Sequence, residues 1–407
     1  MSLAMSLDRV VQELDGAPAA FQAAARIIAR NWRAGVLIFV LPDGRELRLQ
    51  ADLPGPEGRL VVRDFRFMAR VLASGDIGFA EGYMAGEWET PDLSSLLEVL
   101  ALNFTNMDRV ATGNPLVSAV HFVQHLLRSN TRSGSKKNIH AHYDLGNAFY
   151  SRWLDPTMTY SSARFAKPGE PLSEAQKRKY RTLAESMDLK PGHHVLEIGC
   201  GWGGFAEYAA REVGARVTGI TISQEQYDFA RERMFRAGLA ERADIRLVDY
   251  RDVDGQFDRV ASIEMFEAVG ERYWPTYFGK IRESLALGGR AGLQIITIRD
   301  ELFDRYRRRA DFIQKYIFPG GMLPSEARLR AEIERAGLAW AGVSRFGQHY
   351  ADTLAEWARR FEGAWDDIRR LGFDERFRKL WRFYLSYCEA GFRTARTDVV
   401  QLSLSRA

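Results

Sequence analysis

Residues 194–206, HVLEIGCGWGGFA, decide the fold. Val195, Leu196 and Ile198 read as a short buried strand of a parallel sheet, and the glycines that follow read as a tight turn into a helix beginning near Phe205. Gly199, Gly201, Gly203 and Gly204 lack the Cβ that would keep a ligand away from the backbone N–H groups, and they tolerate positive φ. Gly199, Gly201 and Gly204 satisfy the GxGxxG dinucleotide pattern, which alone is a weak signal shared by other glycine-rich strand-to-helix turns. Glu197, two residues before the first glycine, puts a carboxylate at the strand end, where it can steer a cationic or hydroxyl group of a ligand. A nicotinamide dinucleotide would also want an acid about 20 residues on, for the ribose hydroxyls. The next strand, ARVTGITIS, ends instead in Thr221 and Ser223. That contrast favours S-adenosylmethionine over NAD.

Downstream, strand alternates with helix. Strands are expected at 194–199, 215–221, 244–249, 257–264 and 289–298, with one of the intervening helices at 224–238. The alternation predicts right-handed crossovers, a doubly wound sheet and a ligand at the carboxyl ends of the strands. Residues 299–318, RDELFDRYRRRADFIQKYIF, interrupt it as a basic, aromatic helix. Arg305, Arg307, Arg308, Arg309 and Lys315 alternate there with Phe303, Tyr306, Phe312, Tyr316 and Phe318. That composition suits phosphate head groups and acyl chains, and equally an amphipathic helix packed on the sheet with a charged outer face. A last strand pair, GLAWAGVSRFG and VVQLSLSR, flanks helices within 352–396.

Upstream, residues 8–33 read as two short helices split near Gly16 and Pro18, and GVLIFVLPDGRELRLQ as a hairpin around a Pro-Asp-Gly turn. Residues 64–104 read as a helix, a glycine-punctuated segment and a helix capped by Asp92 or Ser94. The chain of 407 residues therefore divides into an α+β accessory domain at 1–127, a polar linker at 128–138 and an α/β domain at 139–407. A hydrophobic fraction of 46% suffices for a sizeable core, and the net charge of +4, without a dense basic tract, gives no reason to expect nucleic acid. Two cysteines, Cys200 and Cys388, exclude a disulfide framework and a cysteine-built metal site, and fit a reducing cytoplasm. His140 and His142 read as surface or capping residues rather than metal ligands, so no metal is expected. No apolar run approaches the ~18 residues of a membrane span, and the N-terminus lacks a signal-peptide pattern. Membrane contact, if made, is peripheral, from the cytoplasmic side.

Several collinear stretches, IHAHYDLGNAFYSRWLDPTMTYSSARF, VLEIGCGWGGFAEYAA, GITISQEQ, IEMFEAVGERYWPTYF, IFPGGMLPS and GQHYADTLAEW, together resemble the cyclopropane-fatty-acyl-phospholipid synthase family. The resemblance implies a class I S-adenosylmethionine methyltransferase fold (α/β, doubly wound, Rossmann-like), preceded here by the small α+β domain. It further implies an unsaturated acyl chain of a membrane phospholipid as substrate, and a homodimer. Carried over residue by residue, the cofactor contacts fall on Tyr160, Ser161, Gly199, Gly201, Gly203, Thr221, Gln226, Asp249 and Tyr250, beside the Glu197 already singled out. Asp249, at a strand end, suits the adenine amino group, and Tyr250 can lie against the ring.

The same resemblance implies a bound bicarbonate, the proton acceptor that closes the three-membered ring, held by Ser162, Glu267, Gln294, the backbone of Ile296, and Tyr350. Two of these positions depart from the family pattern: Ser162 stands where Cys is usual, and Gln294 where His is usual. Both still donate hydrogen bonds, but a titratable imidazole is lost. Methyl transfer is therefore better supported than ring closure, and a methyl- or methylene-branched product stays open. Cys388 matches a cysteine once favoured as the family's nucleophile; methyl transfer to an alkene needs no covalent enzyme intermediate, so a packing thiol is the plainer reading. Glu264 can point into the same site or serve structure alone. A methyltransferase for a small soluble molecule, and a non-catalytic lipid-binding protein, are the other classes consistent with the chain.

Overall fold

The computed structural model describes residues 14–104, 114, 117 and 145–406. The linker expected at 128–138, the first helix expected near residue 8 (but for its end), and His140 and His142 lie outside the described residues. The chain forms two units. One comprises Met1–Gln124, Arg308–Ile317 and Gly372–Thr394; the other comprises His125–Arg307, Phe318–Leu371 and Ala395–Ala407.

In the first unit the hairpin forms as expected: β1 (Ala34–Val40) pairs antiparallel with β2 (Glu46–Gln50). A strand that sequence patterning missed, β3 (Leu53–Val62), runs parallel to β1 and also pairs with the two-residue β4 (Trp88–Glu89), giving the order β2-β1-β3-β4. Its sequence, LPGPEGRLVV, carries Pro54, Gly55, Pro56 and Gly58, residues that normally signal a break. Gly58 has a packing reason to be there. A Cβ at that position would sit 2.7 Å from Val99 Cγ1 and 2.9 Å from Leu96 Cα of the helix Leu93–Asn103 lying on the sheet. Asp92 caps that helix by accepting from Ser95 N. The glycine-punctuated segment proves helical, Asp76–Met84.

The second unit is a seven-stranded sheet in the order β10-β11-β9-β8-β5-β6-β7. It is built from β5 (His194–Ile198), β6 (Arg216–Thr221), β7 (Ala243–Leu247), β8 (Phe257–Ile263), β9 (Leu285–Ile298), β10 (Ala339–Arg345) and β11 (Thr397–Ser405). β7, β6, β5, β8 and β9 are parallel neighbours, and β11 and β10 join antiparallel. The order reverses between β5 and β8, so the crevice for a ligand opens beyond their carboxyl ends. One face of the sheet packs Leu196, Ile198 and Val260 against Trp274, Phe278 and Ile281 of the helix Trp274–Ser284. The other packs Val195 and Val217 against Leu183, Phe205, Ala230 and Met234. Burial on both faces explains why these strands read as continuous apolar runs.

Two expectations need correcting. The basic stretch 299–318 is not one helix but two short ones, Asp300–Tyr306 and Phe312–Tyr316, the second opened by a capping box on Asp311 and Gln314. Its cations are largely spent on acids: Arg307 on Glu271 at 2.7 Å, Arg309 on Asp76, and Lys315 on Glu81 at 2.8 Å. Phe303 and Phe312 are buried. Nor is 139–407 one unit. Residues 308–317 and 372–394 belong with the N-terminal segment, because their apolar faces are covered there: Phe383 lies 6.4 Å from Phe79, 6.0 Å from Tyr83, 6.5 Å from Trp88 and 4.8 Å from Phe312.

Candidate active site

The glycine turn is tied down by its own backbone. Gly199 N and Cys200 N both donate to Ile220 O at the end of β6, at 3.0 and 2.9 Å. Gly199, Gly201 and Gly203 all take positive φ, at 79°, 52° and 82°. At Gly199 a Cβ would strike Met265 Cγ at 2.7 Å, whereas at Gly201 it would meet nothing within 4 Å among the described residues. The open side of the turn therefore faces space a ligand can take. Glu197 is 2% exposed, and its Oε2 is buried without a hydrogen-bond partner among the described residues. Burial pushes its carboxyl up to about 8, against the pull of Lys179 and Arg233. A buried acceptor left in that state is expensive and calls for a donor from a ligand. These two features fit S-adenosylmethionine: Glu197 accepts from a cationic or hydroxyl group, and the turn at Gly201 approaches the rest.

Around the crevice the other expected cofactor residues are already organised. Thr221 Oγ donates to Gln226 Oε1 at 3.0 Å, and Ser223, the cap of the helix Gln224–Arg236, accepts from Gln226 N. Asp249 follows β7 and accepts from Arg251 N, Nε and Nη2 at 3.0, 2.8 and 2.6 Å. Arg251, which sequence reasoning missed, also stacks over Tyr250 at 5.4 Å from the ring centre. Tyr250 in turn meets the edge of Tyr277 at 5.6 Å.

The loop carrying Tyr160, Ser161 and Ser162 folds among aromatic rings. Tyr160 lies 5.4 Å from Tyr150, 5.6 Å from Trp153 and 5.2 Å from Trp357, and Tyr150 lies 5.0 Å from Trp202 in the glycine turn. Beneath it, the helix Leu172–Ser186 turns Leu172, Ala175, Gln176, Lys179, Tyr180, Leu183 and Ala184 inward. Two members of that stripe are polar. Lys179 Nζ donates to Ser161 Oγ at 2.7 Å, and Gln176 Nε2 donates to Ser161 O at 3.0 Å. Lys179 is wholly buried, and desolvation pulls its ammonium down to about 7 although Glu264, Asp155 and Glu197 hold it up. A polar residue at a position of the apolar period was the available sign of it.

The residues expected to hold an anion do come together, but around carboxylates of the chain itself. Glu264, just past β8, has φ of 49°, a left-handed conformation that costs a non-glycine residue about 1–3 kcal/mol. Its Oε1 accepts from Ser162 N at 2.9 Å and from Gln294 Nε2 at 2.7 Å, and its Oε2 accepts from Tyr350 Oη at 2.7 Å. Gln294 is level with Ile263 in the β8–β9 pairing and opposite Gln401 in the β9–β11 pairing. Gln401 Nε2 donates to Gln294 Oε1 at 3.1 Å and to Lys179 O at 3.0 Å, which leaves the Gln294 amide nitrogen facing Glu264. Ile296 N donates to Glu267 Oε1 at 2.5 Å, and Ser162 Oγ donates to the neighbouring Ala163 O. Ser162, Gln294, Ile296 N and Tyr350 are thus engaged within the chain, and the Glu264 carboxylate stands where an anion was expected, so the site as built does not fit that ion.

Burial raises both acids. Glu267 is pushed up to about 8 by desolvation and then by the neighbouring Glu264 charge, and its Oε2 has no partner among the described residues. Glu264 is also raised by burial, but Tyr350, Lys179, Gln294 and Ser162 N all act to hold it ionised. Two close carboxyl groups share one charge, and the three donors place that charge on Glu264 and the proton on Glu267. Cys388 has no part in this arrangement. It belongs to the other unit, on the helix Glu375–Arg393, and burial raises its thiol far above the ordinary range, which suppresses the nucleophilic thiolate.

The sheet order, the glycine turn and the buried Glu197, one of whose oxygens has no partner among the described residues, define a class I S-adenosylmethionine-dependent methyltransferase. More narrowly, the chain belongs to the mycolic acid cyclopropane synthetase family, whose model matches residues 130–402. It is 40% identical over 352 residues to the tuberculostearic acid methyltransferase UfaA1 of Mycobacterium tuberculosis, covering 83% of this chain and 80% of that one. It is 37% identical to the cyclopropane-fatty-acyl-phospholipid synthase of Escherichia coli, covering 85% and 87%. Among solved structures, the mycolic acid cyclopropane synthase CmaA1 complexed with SAH and CTAB superposes with a TM-score of 0.63 at 29% identity, over 67% of this chain and 98% of that one.

Proposed function

We propose that the enzyme transfers a methyl group from S-adenosylmethionine to the cis double bond of an unsaturated acyl chain of a membrane phospholipid, forming a cyclopropane ring. The observation that carries the reading is the buried Glu197 carboxylate with one oxygen unpartnered, beside a glycine turn open at Gly201, in a chain of this family. When bound, the donor supplies an electrophilic methyl on a sulfonium. Glu197, the turn at Gly199, Gly201 and Gly203, and Thr221 with Gln226 would hold it, while Asp249 and Tyr250 would take the adenine. Tyr160 and Ser161 would complete the site, Ser161 being fixed by Lys179 and Gln176.

An alkene is a poor nucleophile, so orientation in a dry site does most of the work. The rings of Tyr150, Trp153, Tyr160 and Trp357 pack against one another around the loop that carries Ser161, which would keep water from the donor, and aromatic faces turned to it would stabilise positive charge. No helix among the described residues is long and apolar enough to cross a membrane; the enzyme meets its lipid peripherally. A branched product is a second reading, favoured by Ser162 and Gln294 at the anion positions and by the likeness to a tuberculostearic acid methyltransferase.

The test is incubation of the purified protein with vesicles of an unsaturated phospholipid and methyl-labelled donor, followed by mass spectrometry and NMR of the acyl chains. Acyl chains heavier by one labelled CH2 unit, with high-field ring protons, are expected. Branched-methyl or vinylidene signals select the second reading. Unlabelled lipid overturns both.

A further inference from the structure

The donors around Glu264 form a complete anion cradle, and its occupant is part of the chain. Ser162 N, Gln294 Nε2 and Tyr350 Oη converge on one carboxylate at 2.7–2.9 Å. A main-chain conformation that glycine would adopt more readily carries that carboxylate there. Strain of this kind persists only where the surroundings over-determine it, and it gathers at functional sites. Among the described residues Oε1 accepts two hydrogen bonds and Oε2 one, so Oε2 keeps a lone pair. Glu197 lies in β5 opposite Ala261 of the neighbouring parallel strand β8, and Glu264 directly follows β8, so both acids sit at the carboxyl ends of adjacent strands, with the buried Lys179 acting on each.

We infer that Glu264 is the enzyme's own general base, standing where a bound bicarbonate would otherwise be needed, so that turnover requires no exogenous anion. The inference rests on the methyl transfer to an alkene proposed above. In that step the π pair of the double bond forms the new bond to the methyl carbon, and the pair of the breaking S–C bond returns to sulfur as a thioether. The other alkene carbon is left cationic. Glu264 Oε2 takes a proton from the newly added methyl, and the released C–H pair becomes the C–C bond that closes the ring. If a hydride shifts first, moving the cation to the carbon that bears the new methyl, the same pair becomes the double bond of a methylene branch instead. Glu264 is then a carboxylic acid and returns its proton to water when product leaves. Gln401 is a positioning residue, since it fixes which end of the Gln294 amide faces the base.

The experiment compares the full-length enzyme with Glu264→Gly and Glu264→Gln in buffer freed of carbon dioxide, before and after bicarbonate is added. Transfer of label to vesicle lipid by the unmutated enzyme is established first, since its absence would be a failure of the function and not of the base. Calorimetric binding of S-adenosylhomocysteine and thermal melting show that each variant is folded; glycine suits the φ of residue 264. The expected results are an unmutated rate indifferent to bicarbonate, and a loss of about 100-fold or more in both variants, the scale of general-base catalysis. Millimolar bicarbonate should restore activity to Glu264→Gly, where the side chain has vacated the cradle, and not to Glu264→Gln, where an amide fills it. An unmutated enzyme that bicarbonate accelerates tenfold overturns the inference. So does a Glu264→Gly enzyme that is fully active without the ion, or one that binds cofactor normally and is not revived by it.

Discussion

At the scale of single residues, the site keeps charges where water cannot reach them and lets their titration report on folding. Glu267 ionises near 4.5 in an unfolded chain and about 8 in the folded one. Below the first value both states are protonated and the group adds nothing. Between the two, the unfolded chain gives up a proton that the folded chain keeps, so stability falls as pH rises. Glu197 acts in the same direction over the same window. Lys179, lowered from 10.5 to about 7, acts oppositely, with stability rising between those values as the unfolded chain alone stays charged. Glu267→Gln removes one of the downward slopes. Urea titrations without the donor should show the variant gaining on the unmutated protein by a few kcal/mol between about pH 5 and pH 8; parallel curves would mean that Glu267 is ionised in the folded state. This pairing was only half legible in the sequence. The motif IEMFEAVG displayed both acids, but three residues of separation say nothing about which carries the charge. That depends on donors from positions 162, 294 and 350, which only the fold assembles.

At the scale of elements, the site depends on a strand that ligates nothing. β11 is antiparallel to β9 and sets Gln401 opposite Gln294; Gln401 Nε2 donates to Gln294 Oε1 and to Lys179 O, and its Oε1 accepts from Thr182 Oγ at 2.8 Å. One amide therefore joins β9, β11 and the helix Leu172–Ser186. Gln401→Leu keeps the bulk and leaves Gln294 Oε1 without that donor, while Lys179 O keeps Thr182 Oγ at 3.0 Å. A loss of about 1–3 kcal/mol in stability is expected from stranding a buried acceptor. The Gln294 amide is then free to turn its oxygen toward Glu264, so kcat should fall at least tenfold while KM for the donor stays nearly constant. An unchanged kcat would show that Gln294 needs no such restraint. The five parallel strands were legible to within a few residues, because burial on both faces writes an apolar run between turn residues. β3 was not, because Gly58 answers to the helix above it and Pro54 and Pro56 to the approach of the chain. The helix expected across 299–318 failed for a related reason: Asp311 caps a new helix in the middle of a continuous basic-aromatic pattern.

At the scale of the whole molecule, the chain does not divide where its sequence changes character. The family model begins at residue 130 and the structural likeness to CmaA1 covers 67% of the chain, which invites a cut that leaves a free-standing methyltransferase. The contacts argue against it. The helix Glu375–Arg393 buries Trp381, Phe383, Tyr384, Leu385 and Phe392, and Phe383 finds its ring partners at Phe79, Tyr83 and Trp88 of the N-terminal segment. The segment 308–317 is held there too, through Arg309 to Asp76 and through Lys315 and Tyr316 to Glu81, at 2.8 and 2.5 Å. A protein starting at residue 130 would strip these neighbours from two segments that come late in the chain, exposing aromatic surface and leaving Arg309 and Lys315 without their acids. It is expected to aggregate on expression, and to become soluble when residues 1–124 are supplied as a second chain. A 130–407 protein that is monodisperse, melts cooperatively and binds S-adenosylhomocysteine by itself would show that those segments can be covered from within the methyltransferase unit, and that the two-unit division has no energetic meaning.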